Sequence, residues 1–386
     1  MSIPQASQPN TVLVIALRYI GDVLLTTPLA HALKVRDPAC EVDMLVFAGT
    51  QGILQNNPDL REVITVPQRP DRATQIALIK RLWRRYDLVL VTLPGDRPHM
   101  YGWAASRNRQ GFVPAERGQA WWKRMLLRQP LVFDGLIHRV TEGERLAQVA
   151  GLGDARTVVA PTAHTKPADW VDGLRRYCPP GHDFDPAQPY AIVHPSPRWR
   201  YKQWHAGGWQ ILMNSLVERG LRILLSGGPG EEESAYLDSL TEALPDTTKH
   251  EIIRVQGVLS LGELADLMRG AALYVGPDTA TTHLAAACDI PTLALYGPTD
   301  PRIWGPWPTS GLDSDYEKVQ PQQMRGKVIL LQNATLPCVP CQQEGCERHR
   351  GSHSDCLDQL DTRTVLGAAT GMLVRANIAP TNTTNK

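Results

Sequence analysis

The chain alternates short, continuous apolar runs with longer stretches in which apolar residues recur at helical spacing. Val12–Leu17 (VLVIAL) reads as a strand buried on both faces, and Asp22–Val35 follows with the apolar period of a helix. Glu41–Phe47 is the next strand and Asp87–Leu93 a later one, entered after the basic helical stretch Thr74–Arg85. Strands rich in Val, Leu and Ile, separated by helices, predict a parallel sheet covered on both faces. The pattern stops at Cys178–Pro189, rich in Pro, Gly and Asp, and restarts with strands at Tyr190–His194, Leu221–Ser226, Ala272–Val275 and Thr292–Tyr296. The expected organisation is an α/β domain over 1–178, a linker at 179–189, a second α/β domain over 190–375 and a flexible tail at 376–386. Two such sheets in tandem are expected to face each other across a cleft, with ligands at the C-terminal strand ends.

A length of 386 residues accommodates two domains, and 42% hydrophobic with 20% charged residues is ordinary for a globular enzyme. The formal net charge of +1 singles out no partner, but its distribution is uneven. Between Arg61 and Arg139 stand 15 Lys or Arg against 6 Asp or Glu. Such an excess suits phosphorylated lipid, a membrane surface or nucleic acid, and equally a plain solvated face. Met1–Asn10 is polar, without the apolar region of a signal peptide, and no apolar run reaches the roughly 18 residues that span a bilayer. A cytoplasmic location is expected, in which the scattered Cys40, Cys178 and Cys288 are not read as a disulfide framework.

Four segments carry candidate chemistry. In Arg18–Pro28, Gly21 permits a close backbone approach, and Asp22 opens a helix at a strand end. Asp22 is either an N-cap, which spacing alone favours, or a general base. His194–Trp204 brings Ser196, Arg198, Arg200 and Lys202 into a strand-end loop, a set suited to a diphosphate. The competing reading is a basic surface loop with Trp204 and Trp209 packed into the core. Leu225–Glu233 is a glycine-rich turn in which Gly228 offers a backbone amide and Glu231 or Glu232 could accept ribose hydroxyls; no Gly-Lys-Ser/Thr follows, so it is no P-loop. In Tyr274–Ala287 a strand ends in Gly276-Pro277, and Asp278, Thr279 and Ala280 open a helix with His283 one turn in. Free amides, hydroxyls and the helix dipole make a phosphate site there, unless Asp278 and Thr279 are plain caps and His283 a satisfied buried histidine.

Three further features stand apart. Cys338, Cys341, Cys346 and Cys356, with His349 and His353 between them, begin with the spacing of a structural zinc site, set against a thiol-rich loop. Asp183-Phe184-Asp185 and Asp313-Ser314-Asp315 match a D-x-D metal-nucleotide signature but fall in loops, so metal use is not expected. Trp121–Arg128 mixes large apolar and basic residues, either to lie on a membrane or to pack as an ordinary amphipathic helix.

GDVLLTTP at 21–28, Lys202-x-Trp204, SGGPGEEE at 226–233, VGPDT with HLAAA at 275–287 and YGPTDP at 296–301 occur in this order. The set resembles glycosyltransferase family 9, the lipopolysaccharide heptosyltransferases, over Thr11–Leu373, and its first motif is most similar to the heptosyltransferase III type. The resemblance implies a GT-B architecture of two Rossmann-like domains and inverting transfer from ADP-heptose to a phosphorylated lipid A–core. It implies Asp22 as catalytic base and Lys202 as neutraliser of the leaving diphosphate. Donor contacts would come from Ser196, Gly228, one of Glu231 and Glu232, Asp278, Thr279, Ala280 and His283. Arg18, Thr26 and Arg97 are the acceptor-side candidates. No cofactor, metal or nucleic acid is implied, and the location is the cytoplasmic face of the inner membrane. Ala280 stands where the family often has Gly, and Leu25 where the heptosyltransferase I type has His. The alternatives are a GT-B-shaped sugar-nucleotide epimerase or hydrolase, and a non-catalytic anion-binding protein at the membrane surface.

Overall fold

The structure is a computed structural model that describes residues 9–376. The chain divides into two compact units, Met1–Val159 and Ala160–Lys386. The first holds six strands, β1 Thr11–Ala16, β2 Glu41–Phe47, β3 Glu62–Val66, β4 Leu88–Val91, β5 Arg109–Val113 and β6 Gln129–Val132. They pair in the order β3-β2-β1-β4-β5-β6, all parallel. This is the doubly wound order, with its reversal between β1 and β4. Both faces of β1 are covered, since Val12, Leu13, Val14 and Ile15 are all fully buried. Leu13, Ile15, Val89 and Val91 share one core with Leu78 and Leu82 of helix Arg72–Leu82, Tyr101 and Ala105 of helix Asp96–Ala105, and Ala120 of helix Arg117–Leu126. Helices Thr27–Arg36 and Arg139–Val149 pack against each other.

One sheet position breaks the apolar rule. Asp43 on β2 is fully buried, and its carboxylate accepts from Arg61 Nε at 2.9 Å and from Tyr86 Oη at 2.6 Å. Burial, and then the bond to Asp43, push the Tyr86 phenol up.

The helix expected over Asp22–Val35 is two helices, Ile20–Leu24 and Thr27–Arg36. Pro28 sits in the first turn of the second, where its missing amide costs nothing. Thr26 and Thr27 hydroxyls donate to the carbonyls of Asp22 (2.8 Å) and Leu24 (2.7 Å), taking up acceptors that the break exposes.

The second unit holds β7 Tyr190–Val193, β8 Arg222–Leu225, β9 Ile252–Arg254, β10 Leu273–Pro277, β11 Thr292–Tyr296, β12 Gln322–Arg325 and β13 Val328–Gln332. Their order is β12-β13-β11-β10-β7-β8-β9, parallel except for the β12–β13 edge pair. Taken from β9, the first five strands repeat the order of the first unit, and the reversal lies between β7 and β10. Trp204 and Trp209 are core residues, edge to face at 5.1 Å, and Trp204 Nε1 donates to Leu360 O.

The linker was expected at 179–189, whereas the contacts divide at Val159 and Ala160. Residues 160–189 pack on the second unit: Ala163 N donates to Asp266, Arg269 donates to Pro161 O, and Phe184 lies against Tyr190 at 5.4 Å. The Pro, Gly and Asp that suggest a linker here form turns on a folded surface. The expected tail lies outside the described residues beyond position 376.

Candidate active site

The β1–β4 reversal of the first unit opens onto a pocket lined by Arg18, Asp22, Thr26, Thr92, Arg139 and Glu142, with Phe112 and Phe133 among its apolar walls. Asp22 is not the helix cap that spacing alone favours. Tyr19 holds the cap position, with no side-chain bond, and Asp22 lies inside the first turn. Its carboxylate accepts from Arg18 Nε at 3.2 Å, and the side chain is 15% exposed. Burial raises the Asp22 carboxyl above its ordinary value, although Arg18 and Arg139 pull it down. Arg139 is half-buried in its turn, with desolvation lowering its pKa against the charges of Asp22 and Glu142. Glu142 accepts from Asp134 N at 2.9 Å and from Arg145. A carboxylate shifted toward neutrality and flanked by two guanidiniums suits proton abstraction beside an anionic ligand.

Arg18 and Thr26 thus meet Asp22 in this pocket. Arg97 does not line it: the guanidinium donates to Gln68 O at 2.6 Å and lies over the Phe47 ring. Arg139, Glu142 and Thr92 are site residues that nothing in the local pattern marks, because they come from other strand ends and a distant helix.

In the second unit the loops after β7 and β10 converge at the reversal. Lys202, in the short turn Arg200–Lys202, donates to Asp278 Oδ2 at 2.5 Å, and Thr299 Oγ1 donates to the same oxygen at 2.5 Å. Burial pushes the Asp278 carboxyl up, but Lys202, His283 and these bonds together hold it below the ordinary carboxylate range. Asp278 therefore positions Lys202 instead of capping the helix, and Thr279 is the N-cap of helix Ala280–Ala287. Thr279 makes no side-chain cap bond; its hydroxyl meets those of Thr281 (2.8 Å) and Thr282 (3.3 Å), which also meet Tyr274 Oη. Tyr274 lies over Gly276, where a Cβ would come within 2.3 Å of the phenol oxygen.

His283 is buried, with Nε2 4.0 Å from Asp278 Oδ1, and burial takes its imidazole down to about 4. Among the described residues, neither His283 Nδ1 nor the buried Ser196 Oγ has a hydrogen-bond partner. Buried polar atoms without partners are costly, so the place of His283 one turn into the helix and near Lys202 points to an anionic ligand. The glycine-rich turn differs from expectation in one respect. The Gly228 amide donates to Glu233, and a Cβ at 228 would strike that carboxylate, so the glycine serves Glu233. Glu231 and Glu232 are exposed in the first turn of helix Glu231–Glu242.

The cysteine loop packs against the turn that carries Lys202: Ser354 Oγ donates to Tyr201 O at 2.6 Å, and the Arg350 guanidinium sits 4.4 Å from the Trp199 ring. Cys356 is buried, and burial followed by the charges of Cys341, Cys346 and Cys338 raises its thiol to about 12. The four are thus neighbours. Among the described residues, however, the ligand atoms that come within 4.8 Å of one another belong to Cys346, His353 and Asp355.

The family model for glycosyltransferase family 9 (heptosyltransferase) matches residues 144–330. The match spans just under half of the chain, which over that stretch resembles glycosyltransferase family 9. The chain is a glycosyltransferase, of α/β GT-B class with two Rossmann-like units. Lipopolysaccharide heptosyltransferase 3 of Escherichia coli is 25% identical over 321 residues, 81% of this chain and 91% of that one. Among solved structures, a family 9 transferase from Veillonella parvula superposes with a TM-score of 0.73 at 18% identity, covering 95% of this chain and 97% of the other. The E. coli ADP-heptose lipopolysaccharide heptosyltransferase II gives 0.69 at 19%, with 95% and 99% covered.

Proposed function

We propose that this transferase is an inverting heptosyltransferase that moves a heptose from ADP-heptose to the inner core of lipopolysaccharide. The relatives' names supply the donor and acceptor class. The observation that carries the mechanism is Asp22, a carboxylate of raised pKa lining a pocket with Arg18 and Arg139. The acceptor hydroxyl gives its proton to the Asp22 carboxylate as its oxygen attacks the anomeric carbon. The bond from that carbon to the diphosphate oxygen breaks on the opposite face, so the configuration inverts and ADP leaves. Lys202, the Ala280 end of helix Ala280–Ala287, Ser196 and His283 take up the developing diphosphate charge. Arg18, Thr26 and Arg139 bind the phosphorylated acceptor. The lipid anchor of that acceptor places the enzyme on the cytoplasmic face of the inner membrane; no described helix is long and apolar enough to cross one.

The test is ADP release from ADP-heptose with lipopolysaccharide cores truncated at defined steps. Release that depends on one core establishes transfer and names the acceptor. Release without acceptor overturns transfer in favour of hydrolysis or epimerisation. At the cysteine loop, Cys338, Cys341, Cys346 and Cys356 with His353 and Asp355 offer soft and borderline ligands suited to one structural zinc outside the reaction. Metal analysis of reduced, purified protein should find about one zinc per chain, and a metal-free, fully folded protein would remove this assignment.

A further inference from the structure

Helices Arg72–Leu82, Asp96–Ala105 and Arg117–Leu126 form one layer, the second packing on both the first and the third. Their inward residues enter the same core, so their outward sides make a continuous face. That face and the turn after its first helix expose Ile76 (53%), Trp83 (52%), Met100 (40%), Trp103 (41%), Trp121 (62%) and Met125 (77%). Single exposed apolar side chains need no explanation, but six large ones on one helical layer do. Trp83 and Trp103 meet edge to face at 5.5 Å, and the Arg84 guanidinium sits 5.1 and 5.8 Å from their rings. The layer is held rigidly from beneath by Lys123, which is buried, pairs with Asp96 at 2.6 Å and donates to Pro94 O.

The charge on this layer identifies what covers it. Arg72, Lys80, Arg84, Arg107 and Arg128 are exposed on or beside the three helices, within the stretch of 15 basic and 6 acidic residues. Asp71, Asp96 and Glu116 are exposed there too, but the layer stays net basic, so a second copy would set excess positive charge against positive. Nucleic acid would satisfy the cations but offers no apolar phase for Ile76, Met100 and Met125. Tryptophan rings, methionines and a basic rim together match the boundary between acyl chains and anionic headgroups.

We propose that this three-helix face docks on an anionic bilayer, with the Trp and Met side chains entering the interface and the surrounding Lys and Arg on the headgroups. The proposal is independent of donor and acceptor, and its test uses neither. The full chain is sedimented with vesicles of phosphatidylcholine alone and of phosphatidylcholine mixed with phosphatidylglycerol. Binding to the mixed vesicles only, weakened by salt, is expected. Trp121→Asp with Met125→Asp should lower the partition coefficient at least about tenfold, as should Arg72→Glu with Arg128→Glu. Both pairs are exposed, and unchanged thermal unfolding verifies that the variants are folded. Wild-type protein that ignores the mixed vesicles overturns the proposal, as do variants that bind them equally well. A wild-type dimer in lipid-free sedimentation that Trp121→Asp dissolves also overturns it, in favour of a second copy.

Discussion

At the scale of single residues, burial decides what the charged groups can do. Asp22 is held partly from water, so burial works against the ionised form that the proposed base requires. Asp22→Asn should lower kcat about 10²–10⁴-fold without lowering the thermal midpoint, which steady-state kinetics and calorimetry check together. Because the carboxyl titrates above its ordinary value, the acid limb of the kcat/KM profile should lie above that of a free aspartate and vanish in the variant. Full activity of Asp22→Asn would remove the base. Asp43 is the opposite case, fully buried and structural. Arg61→Ala leaves it with Tyr86 alone and should cost about 3 kcal/mol in denaturant unfolding.

At the scale of elements, loop chemistry sets where helices start and stop. Thr27 Oγ1 donates to Leu24 O and accepts from Val159 N at 3.0 Å, tying the helix break to the end of the first unit. Thr27→Val keeps the shape, removes both bonds and should destabilise the protein by about 1–3 kcal/mol, read from the shift in urea midpoint. Strands that are almost wholly apolar, such as β1, β4 and β11, are legible in the chain because burial on both faces leaves no alternation to misread. β5 (RQGFV), buried but opening on Arg, Gln and Gly, and the exposed edge strand β6 (QPLV), where Pro130 dilutes the signal, are not. The candidate anion site at Asp278–His283 is legible because a strand end and a helix N-terminus are local features. The partnership of Lys202 with Asp278, and of Asp22 with Arg139, joins distant segments and is set by topology. The helix break at Leu25–Thr26 escapes a periodicity reading because the apolar spacing continues through it.

At the scale of the molecule, burial lowers imidazoles in both units, His99 in the first and two in the second, with the larger shifts in the second. His194 and His283 are both in the second, and burial takes each imidazole down to about 4. Their folded pKa values lie below the unfolded 6.5, so the unfolded chain binds more protons between these limits, and stability falls as pH drops through that window. Each imidazole should cost about 2 kcal/mol between pH 7 and 5. Calorimetry at the two pH values should show the second unit's transition falling, and a pH-independent transition would contradict the neutral histidines. The seam between the units has another consequence. At Val159–Ala160 the chain passes from one set of internal contacts to the other within a few residues. A gene for this protein can be recombined there with that of a relative, leaving both sheets whole. Under the proposed function, such a crossover would let acceptor choice and donor chemistry be inherited from different parents.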